Sequence, residues 1–375
     1  MNKLDGRNGP AESLRPLFSR TYVRALLSAV LILGTVVLSL LPFPTSIKIT
    51  SASAVFLVLF VLWLPKVPER LFPYALSVPS LLILMAITLV PIGFLVWVSF
   101  HRVTLVNFRK HWPFTGLENY LFLAREDPLF IPCLVRSLEL LFFGLIFQLV
   151  LGMGLAVLLN RKFRFRNLVG TVLLLPVMTN SIVIGMLWKY MLNYYNGFIN
   201  LLLIKFGIPA QPWLTNQVLP GISRLPVVGA WLGQNLNLNF AFFSIIATNT
   251  WQWTPMVFLL LSAGLASLPS EPFEAAKVDG ASGWQTFRYL TLPMLKPVIK
   301  VVLVIRGIDI MKTFGMIWAL FGNASITSTL NIHIHTVGLY THNYGRSSAL
   351  SLLVVGLTLL LYLLFQKLFP EGDTQ

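Results

Sequence analysis

The sequence predicts an all-α integral membrane protein with eight transmembrane helices, and three observations predict it. Hydrophobic residues make up 56% of the 375 positions and charged residues only 11%, with a mean hydropathy of +0.77. Apolar runs of the length that crosses a bilayer, about 18 residues or more, recur almost from end to end. The Lys and Arg residues, which leave a net charge of +15, sit between those runs, where the positive-inside rule places cations. They do not gather on a polar face with base-reading motifs, which argues against nucleic acid as a partner and for membrane lipid.

Taken in order, the runs are Val23 to Leu41, Thr50 to Leu64, Phe72 to Trp97, Leu134 to Leu159, Leu168 to Trp188, Phe240 to Leu265, Val298 to Leu320 and Ser348 to Phe365. The first is too long, and lacks the small-residue cleavage site, to read as a signal peptide. The second is short for a hydrocarbon core of about 30 Å. Orientation follows from the cations. With the N-terminus inside, the inside loops carry more Lys and Arg than the outside ones. The tightest cluster, Arg161-Lys162-Phe163-Arg164-Phe165-Arg166, falls in a short inside loop, where the rule is strongest. Both termini are then cytoplasmic. Two outside segments are long, and the second, Lys189 to Asn239, holds the turn signals Asn196-Gly197 and Pro220-Gly221 and an apolar stretch, Phe198 to Phe206, suited to a short interfacial helix. Trp188 and Tyr190 read as interfacial anchors. Cys133 is the only cysteine, which rules out an intrachain disulfide; it reads as a small apolar filler at a helix start.

The longest inside loop carries the most information. Ser270 is a helix cap, with Glu271 and Pro272 in the first turn; Asp279-Gly280 ends that helix, and a second fits Ser282 to Leu290. Trp284, Phe287 and Tyr289 place bulky groups on it outside the lipid. Such a surface calls for a protein partner.

Within that loop, Glu274-Ala275-Ala276, Asp279-Gly280-Ala281 and Leu290-Thr291-Leu292-Pro293 resemble the EAA motif of the permease subunits of binding-protein-dependent ABC importers. Weaker likenesses agree: Leu175-Pro176, Asn196-Gly197-Phe198-Ile199-Asn200, and Asn249-Thr250-Trp251 with Pro255, the last resembling the maltose-transporter-like, carbohydrate-uptake branch. The resemblance covers roughly Tyr74 to Phe365. It implies a six-helix importer permease core over 73–366, with the EAA coupling loop at 268–297. Residues 1–72 then hold the cytoplasmic N-terminus and two extra spans, and 367–375 a cytoplasmic tail.

The resemblance further implies a permease that is not itself an enzyme, in the inner membrane of a bacterial or archaeal cell. Its function would be ATP-driven import of a sugar or sugar-like solute by alternating access. Its partners would be a second permease subunit, two ATPase subunits and an extracytoplasmic solute-binding protein. No cofactor belongs to this chain; ATP and Mg would sit in the partner ATPase, since no Walker-type glycine loop is present. The ATPase-docking residues would be Glu274, Ala275, Ala276, Asp279, Gly280, Leu292 and Pro293. The small ones would permit close approach, and Glu274 would pair with a basic residue of the partner.

Polar groups inside spans point to candidate solute contacts. Arg306, Asp309 and Lys312 are spaced by three in the seventh span, so Asp309 can pair with either cation along one face. The alternative reading gives part of this helix to the translocation cavity. Arg306, Ile310 and Thr313 share a helix face there, as Asn249, Trp253 and Met256 do in the sixth span. Asn249, Trp253, Arg306 and Thr313 are therefore substrate-binding candidates, and the resemblance to the maltose-transporter branch, where the fifth to seventh spans hold the sugar, implies Ser181 as a further one. Asn and Thr bond hydroxyls, Trp253 stacks on an apolar sugar face, and Arg306 suits an anionic group. Gly315 and Phe321-Gly322-Asn323-Ala324 depart from the family's pattern, an Asp after the Phe and a Gly-Gly-Pro turn.

His333, His335 and His342 lack the accompanying carboxylate or cysteine of a metal site and read as outside polar residues. Glu139 is expected to pair with Arg136. An ion-coupled secondary carrier is the alternative function; it would show internal repeats. A membrane enzyme would need a convergent His, Asp or Glu cluster in the spans, and only the group around Asp309 is available.

Overall fold

The computed structural model describes residues 27–36, 45–63, 68–159, 164, 166–220 and 237–368. Most of the basic cluster Arg161 to Arg166, Arg224, the Pro220-Gly221 turn beyond Pro220, and nearly all of the two termini lie outside those residues. Among the described residues every regular element is helical.

The chain divides into two compact units, Met1–Gly93 and Phe94–Gln375. The first holds α1 (Leu27–Val36), α2 (Thr45–Trp63) and most of α3 (Phe72–Ser99). α3 is apolar along its length and leaves most of its Leu, Ile and Val side chains exposed, as a helix in hydrocarbon does.

The second unit continues with α4 (Glu118–Arg125), α5 (Phe130–Leu159), α6 (Arg166–Met178), α7 (Ser181–Met191), α8 (Phe198–Lys205) and α9 (Phe240–Ala266). It then runs through α10 (Glu271–Val278), α11 (Gly283–Thr286), α12 (Lys296–Met311), α13 (Gly315–Phe321), α14 (Leu330–His335) and α15 (Tyr344–Leu368). Its main core joins Leu140 and Leu141 of α5, Phe242 of α9, Ile310 of α12, Met316 and Ile317 of α13 and Leu350 of α15. A second cluster, Ala156, Val257, Leu261 and Val302, closes the other end of the α5–α9–α12 packing. Cys133 is fully buried in the first turn of α5.

Each of the eight apolar runs contains helix among the described residues, but two are not continuous. α3, α5 and α15 are long and apolar enough to cross a membrane, and the bent pairs α6–α7 and α9–α10 raise the number to five. The fifth run breaks by 99° between α6 and α7. Pro176 lies near the end of α6, and Asn180 caps α7 by accepting from the Ile182 amide at 2.9 Å, so the local sequence specifies a new helix start. The seventh run breaks between Lys312, the C-cap of α12, and Gly315, the first residue of α13. Thr313 thus lies beyond the helix that carries Arg306 and Ile310 and does not extend their face.

Small residues set the closest crossings. A Cβ on Gly185 of α7 would stand 2.6 Å from the Met316 carbonyl oxygen and 2.6 Å from Ala319 Cβ on α13. One on Gly315 would stand 2.9 Å from Ile182 Cγ1. Gly315, where the family pattern has Asp, therefore lets α7 and α13 close on each other. Gly185→Val should overpack this seam and cost about 1–3 kcal/mol. The check is a lower thermal unfolding midpoint of the detergent-purified protein; an unchanged midpoint contradicts the packing.

Candidate functional site

A cavity of about 240 Å³ opens where α7, α9, α12 and α13 meet. α7 contributes Ser181, α9 contributes Asn249, Gln252 and Trp253, and the α12–α13 break contributes Asp309, Lys312 and Thr313. Four of the five candidates predicted from sequence, Ser181, Asn249, Trp253 and Thr313, thus share one cavity.

The fifth, Arg306, does not line it. Its side chain is 1% exposed, and a guanidinium so placed must be held by partners. Nη1 donates to Asp309 Oδ2 at 3.1 Å and Nε donates to Gln148 Oε1 at 3.0 Å. The guanidinium carbon lies 4.4 Å from the centre of the Trp253 ring, within cation–π range. Arg306, expected to meet an anionic solute, is paired with Asp309 and is not among the residues that line this cavity; Lys312 is the cation that does. Of the two pairings open for Asp309, the structure forms the one with Arg306.

Gln148 and Gln252 escaped the sequence reading. Each lies in a span, a polar residue in an apolar run, and that signal alone could have found them. Gln148 Nε2 donates to Asn249 Oδ1 at 2.9 Å. Gln252 Nε2 donates to the Thr179 carbonyl oxygen at 3.3 Å and to Ser181 Oγ at 3.1 Å, tying α9 to the α6–α7 break.

The predicted docking residues form a separate exposed elbow. Ser270 takes helical backbone angles and makes no side-chain cap bond, contrary to expectation; the bonds Phe273 N and Glu274 N make to its carbonyl oxygen begin the helix instead. α10 ends in a Schellman arrangement. Ala281 N donates to Ala276 O at 2.9 Å, Gly280 N to Lys277 O at 3.2 Å, and Gly280 stands at φ +75°. The next helix starts at once with a capping box: Ser282 N donates to Gln285 Oε1 at 2.7 Å and Ser282 Oγ accepts from Gln285 N at 3.3 Å. This α11 is shorter than the predicted Ser282 to Leu290 helix; it passes into a π turn, Phe287–Thr291, and a final turn at Leu292–Met294. Glu274, Ala275, Asp279, Gly280 and Pro293 are exposed, while Ala276 and Leu292 are half-buried. Val278, Trp284 and Tyr289 are each more than 70% exposed. Two consecutive terminal motifs with Ala281 between them leave little slack in the backbone.

Three other expectations change. Glu139 and Arg136 do not meet directly; Asn237 stands between them, its Oδ1 accepting from Arg136 Nε at 3.2 Å and its Nδ2 donating to Glu139 Oε2 at 2.8 Å. His333 is buried, with Nε2 2.7 Å from Asp127 Oδ2. His335 packs against Phe314 and Trp318. Trp188 is half-buried edge-on to Trp251 at 5.6 Å, while Tyr190 is exposed.

Residues 148–371 match the family described as binding-protein-dependent transport system inner membrane component. The chain is 31% identical over 303 residues to the trehalose/maltose transport system permease protein of Thermococcus litoralis, covering 80% of this chain and 95% of that protein. It is 29% identical over 301 residues to the arabinooligosaccharides transport system permease protein of Bacillus subtilis, covering 79% and 88%. Among solved structures, a bacterial ABC transporter involved in import of the acidic polysaccharide alginate aligns with a TM-score of 0.65 at 21% identity, over 82% of this chain and 98% of that one. The same fold recurs, with a TM-score of 0.66, 21% identity and coverage of 81% and 97%, in the alginate transporter bound to its alginate pentasaccharide-bound periplasmic protein.

Asp309→Ala should cost more stability than Arg306→Met. The first strands a buried guanidinium, a loss of about 3–5 kcal/mol. The second leaves a carboxylate that is 40% exposed and can be hydrated. Thermal unfolding of the two purified variants checks the order.

Proposed function

Because the chain belongs to the family of binding-protein-dependent transport system inner membrane components, we propose that it builds one side of the translocation pathway for a sugar or sugar-like solute. As a permease of that family it does not hydrolyse ATP itself; the energy comes from a partner ATPase. The sugar class rests on the printed substrates of its relatives, trehalose/maltose and arabinooligosaccharides, together with a cavity that combines an indole face with amide and hydroxyl groups.

The observation that carries the mechanical half of the reading is the elbow from α10 to α11. It exposes Val278, Trp284 and Tyr289 beside the small residues Ala275 and Gly280, and its backbone is fixed by two terminal motifs. That combination suits insertion into a cleft on one ATPase subunit of a pair. Closure of the ATPase pair would push the elbows as levers, and the spans would exchange between inward-open and outward-open arrangements, a two-state equilibrium biased by nucleotide. The full assembly in this reading adds a second permease subunit and an extracytoplasmic binding protein that delivers the solute to the long outside segments. The chain would cross the inner membrane eight times, six spans in the core and two before it, with both termini in the cytoplasm. The cavity candidates Ser181, Asn249, Trp253 and Thr313 would contact the solute, and Arg306 would act behind them.

Gly280 offers the cleanest test. Its φ of +75° costs a side-chain-bearing residue about 1–2 kcal/mol, yet a Cβ there meets open space. Gly280→Asp should therefore leave the membrane domain folded while ATPase co-purification and ATP-dependent uptake fall at least tenfold. Undiminished co-purification and uptake would show that the elbow is not the joint. Uptake by the purified chain on an ion gradient, with no ATPase present, would favour a secondary carrier instead.

A further inference from the structure

The polarity of the cavity wall is dictated by groups that have no choice of role. An arginine Nε can only donate, so the oxygen of Gln148 must face Arg306, at 3.0 Å. The nitrogen of Gln148 must then face Asn249, which obliges Asn249 to present its oxygen, at 2.9 Å. Asn249 Nδ2 is left over, buried and without a partner in the protein. On the next turn of α9 the argument runs the other way. A backbone carbonyl can only accept, so Gln252 must turn its nitrogen to Thr179 O, at 3.3 Å, and that same nitrogen reaches Ser181 Oγ. Gln252 Oε1 is left over, also buried and without a partner. Both residues line the cavity together with Trp253, and each is 1% exposed.

A buried donor and a buried acceptor left unsatisfied each forfeit the hydration they had in water, and native proteins retain few of them. From this we infer that Gln252 is a solute-contacting residue of fixed acceptor character, paired with Asn249 as a fixed donor. The two read neighbouring hydroxyl groups of a sugar ring stacked on Trp253. Arg306 is a positioning residue: it sets the donor face of Asn249 through Gln148 and holds the indole by its cation–π contact, while its own Nη2 is likewise buried without a partner in the protein. A hydroxyl is the group that suits this wall, because it can accept from Asn249 at one ring position and donate to Gln252 at the next. The inference rests on the reading of this cavity as the solute pathway.

The experiment uses the assembled permease–ATPase complex without binding protein. It is titrated by tryptophan fluorescence with maltose, trehalose and arabinotriose, and then with the monodeoxy and monofluoro analogues of whichever sugar binds most tightly. Fluorine can accept weakly but cannot donate. At one ring position the fluoro sugar should therefore bind as poorly as the deoxy sugar, about tenfold below the parent, marking the hydroxyl that donates to Gln252. At a neighbouring position the fluoro sugar should keep most of the affinity that the deoxy sugar loses, marking the hydroxyl that accepts from Asn249. Asn249→Asp, which replaces the donor with a second acceptor, should abolish that fluoro–deoxy gap. Arg306→Lys keeps an obligate donor against Gln148 and should preserve the gap; Arg306→Met should blur it. Equal losses for fluoro and deoxy sugars at every position, in wild-type protein that needs no variant to fold, overturn the inference. ATP-dependent uptake of the parent sugar into proteoliposomes, measured separately with the binding protein present, tells the two failures apart. Uptake without the fluoro–deoxy pattern sinks the donor–acceptor pair alone, whereas no binding and no uptake of any of the three sugars sinks the pathway reading with it.

Discussion

A guanidinium buried among packed helices has to be surrounded by groups of fixed direction, and Arg306 imposes that demand on the core of the second unit. Asp309 answers its charge from one turn along the same helix, Gln148 answers a second N–H from α5, and the Trp253 ring from α9 takes the face of the cation. Three helices are thereby held in one register by a single side chain. Replacing such a group by an apolar one often costs little if the partners go with it, while removing one partner alone costs much. What Arg306 supplies is therefore orientation. It makes one arrangement of Gln148 and Asn249 the right one in a region where hydrophobic packing alone would accept several.

The sequence was most legible where local chemistry acts alone. The apolar runs marked the helices of the second unit closely, because chain length and hydropathy are set by the bilayer. The elbow from α10 to α11 was readable to within a few residues, because Asp279-Gly280 and Ser282 with Gln285 act within a turn of where they stand. It was less legible where the chain breaks a helix on purpose. The seventh run remains apolar through Leu320, so periodicity carried it past Lys312. The break depends on Gly315 fitting against Ile182 of another helix, which no local pattern reveals. The same blindness hid Asn237 between Arg136 and Glu139, about a hundred residues away in sequence, and Asp127 beside His333. Spacing of three offered Arg136 as the natural partner for Glu139; tertiary contact inserted an amide instead.

The cavity and the elbow are linked through the ends of the same elements. α9 carries Asn249, Gln252 and Trp253 in its middle and turns by 77° into α10 at its end, and α12 begins just after the elbow and finishes at Lys312 beside the cavity. Apart from the α9 residues, the walls of the cavity are made of the start of α7, the end of α12, the break at Lys312–Phe314 and the start of α13. Breaks of this kind allow a segment to swing with few hydrogen bonds lost, as in discontinuous membrane helices generally.

Asn237 gives the region around the head of α5 a property of its own. It stands at φ +44°, directly after residues 221–236, and its amide is fastened to both Arg136 and Glu139. Arg136 in turn donates to the carbonyl oxygens of Ser325 and Ser328. A pull on the chain at that point meets no loose tether. It is delivered straight to the head of α5 and to the segment that follows α13, so strain applied at Asn237 reaches the helix that carries Gln148.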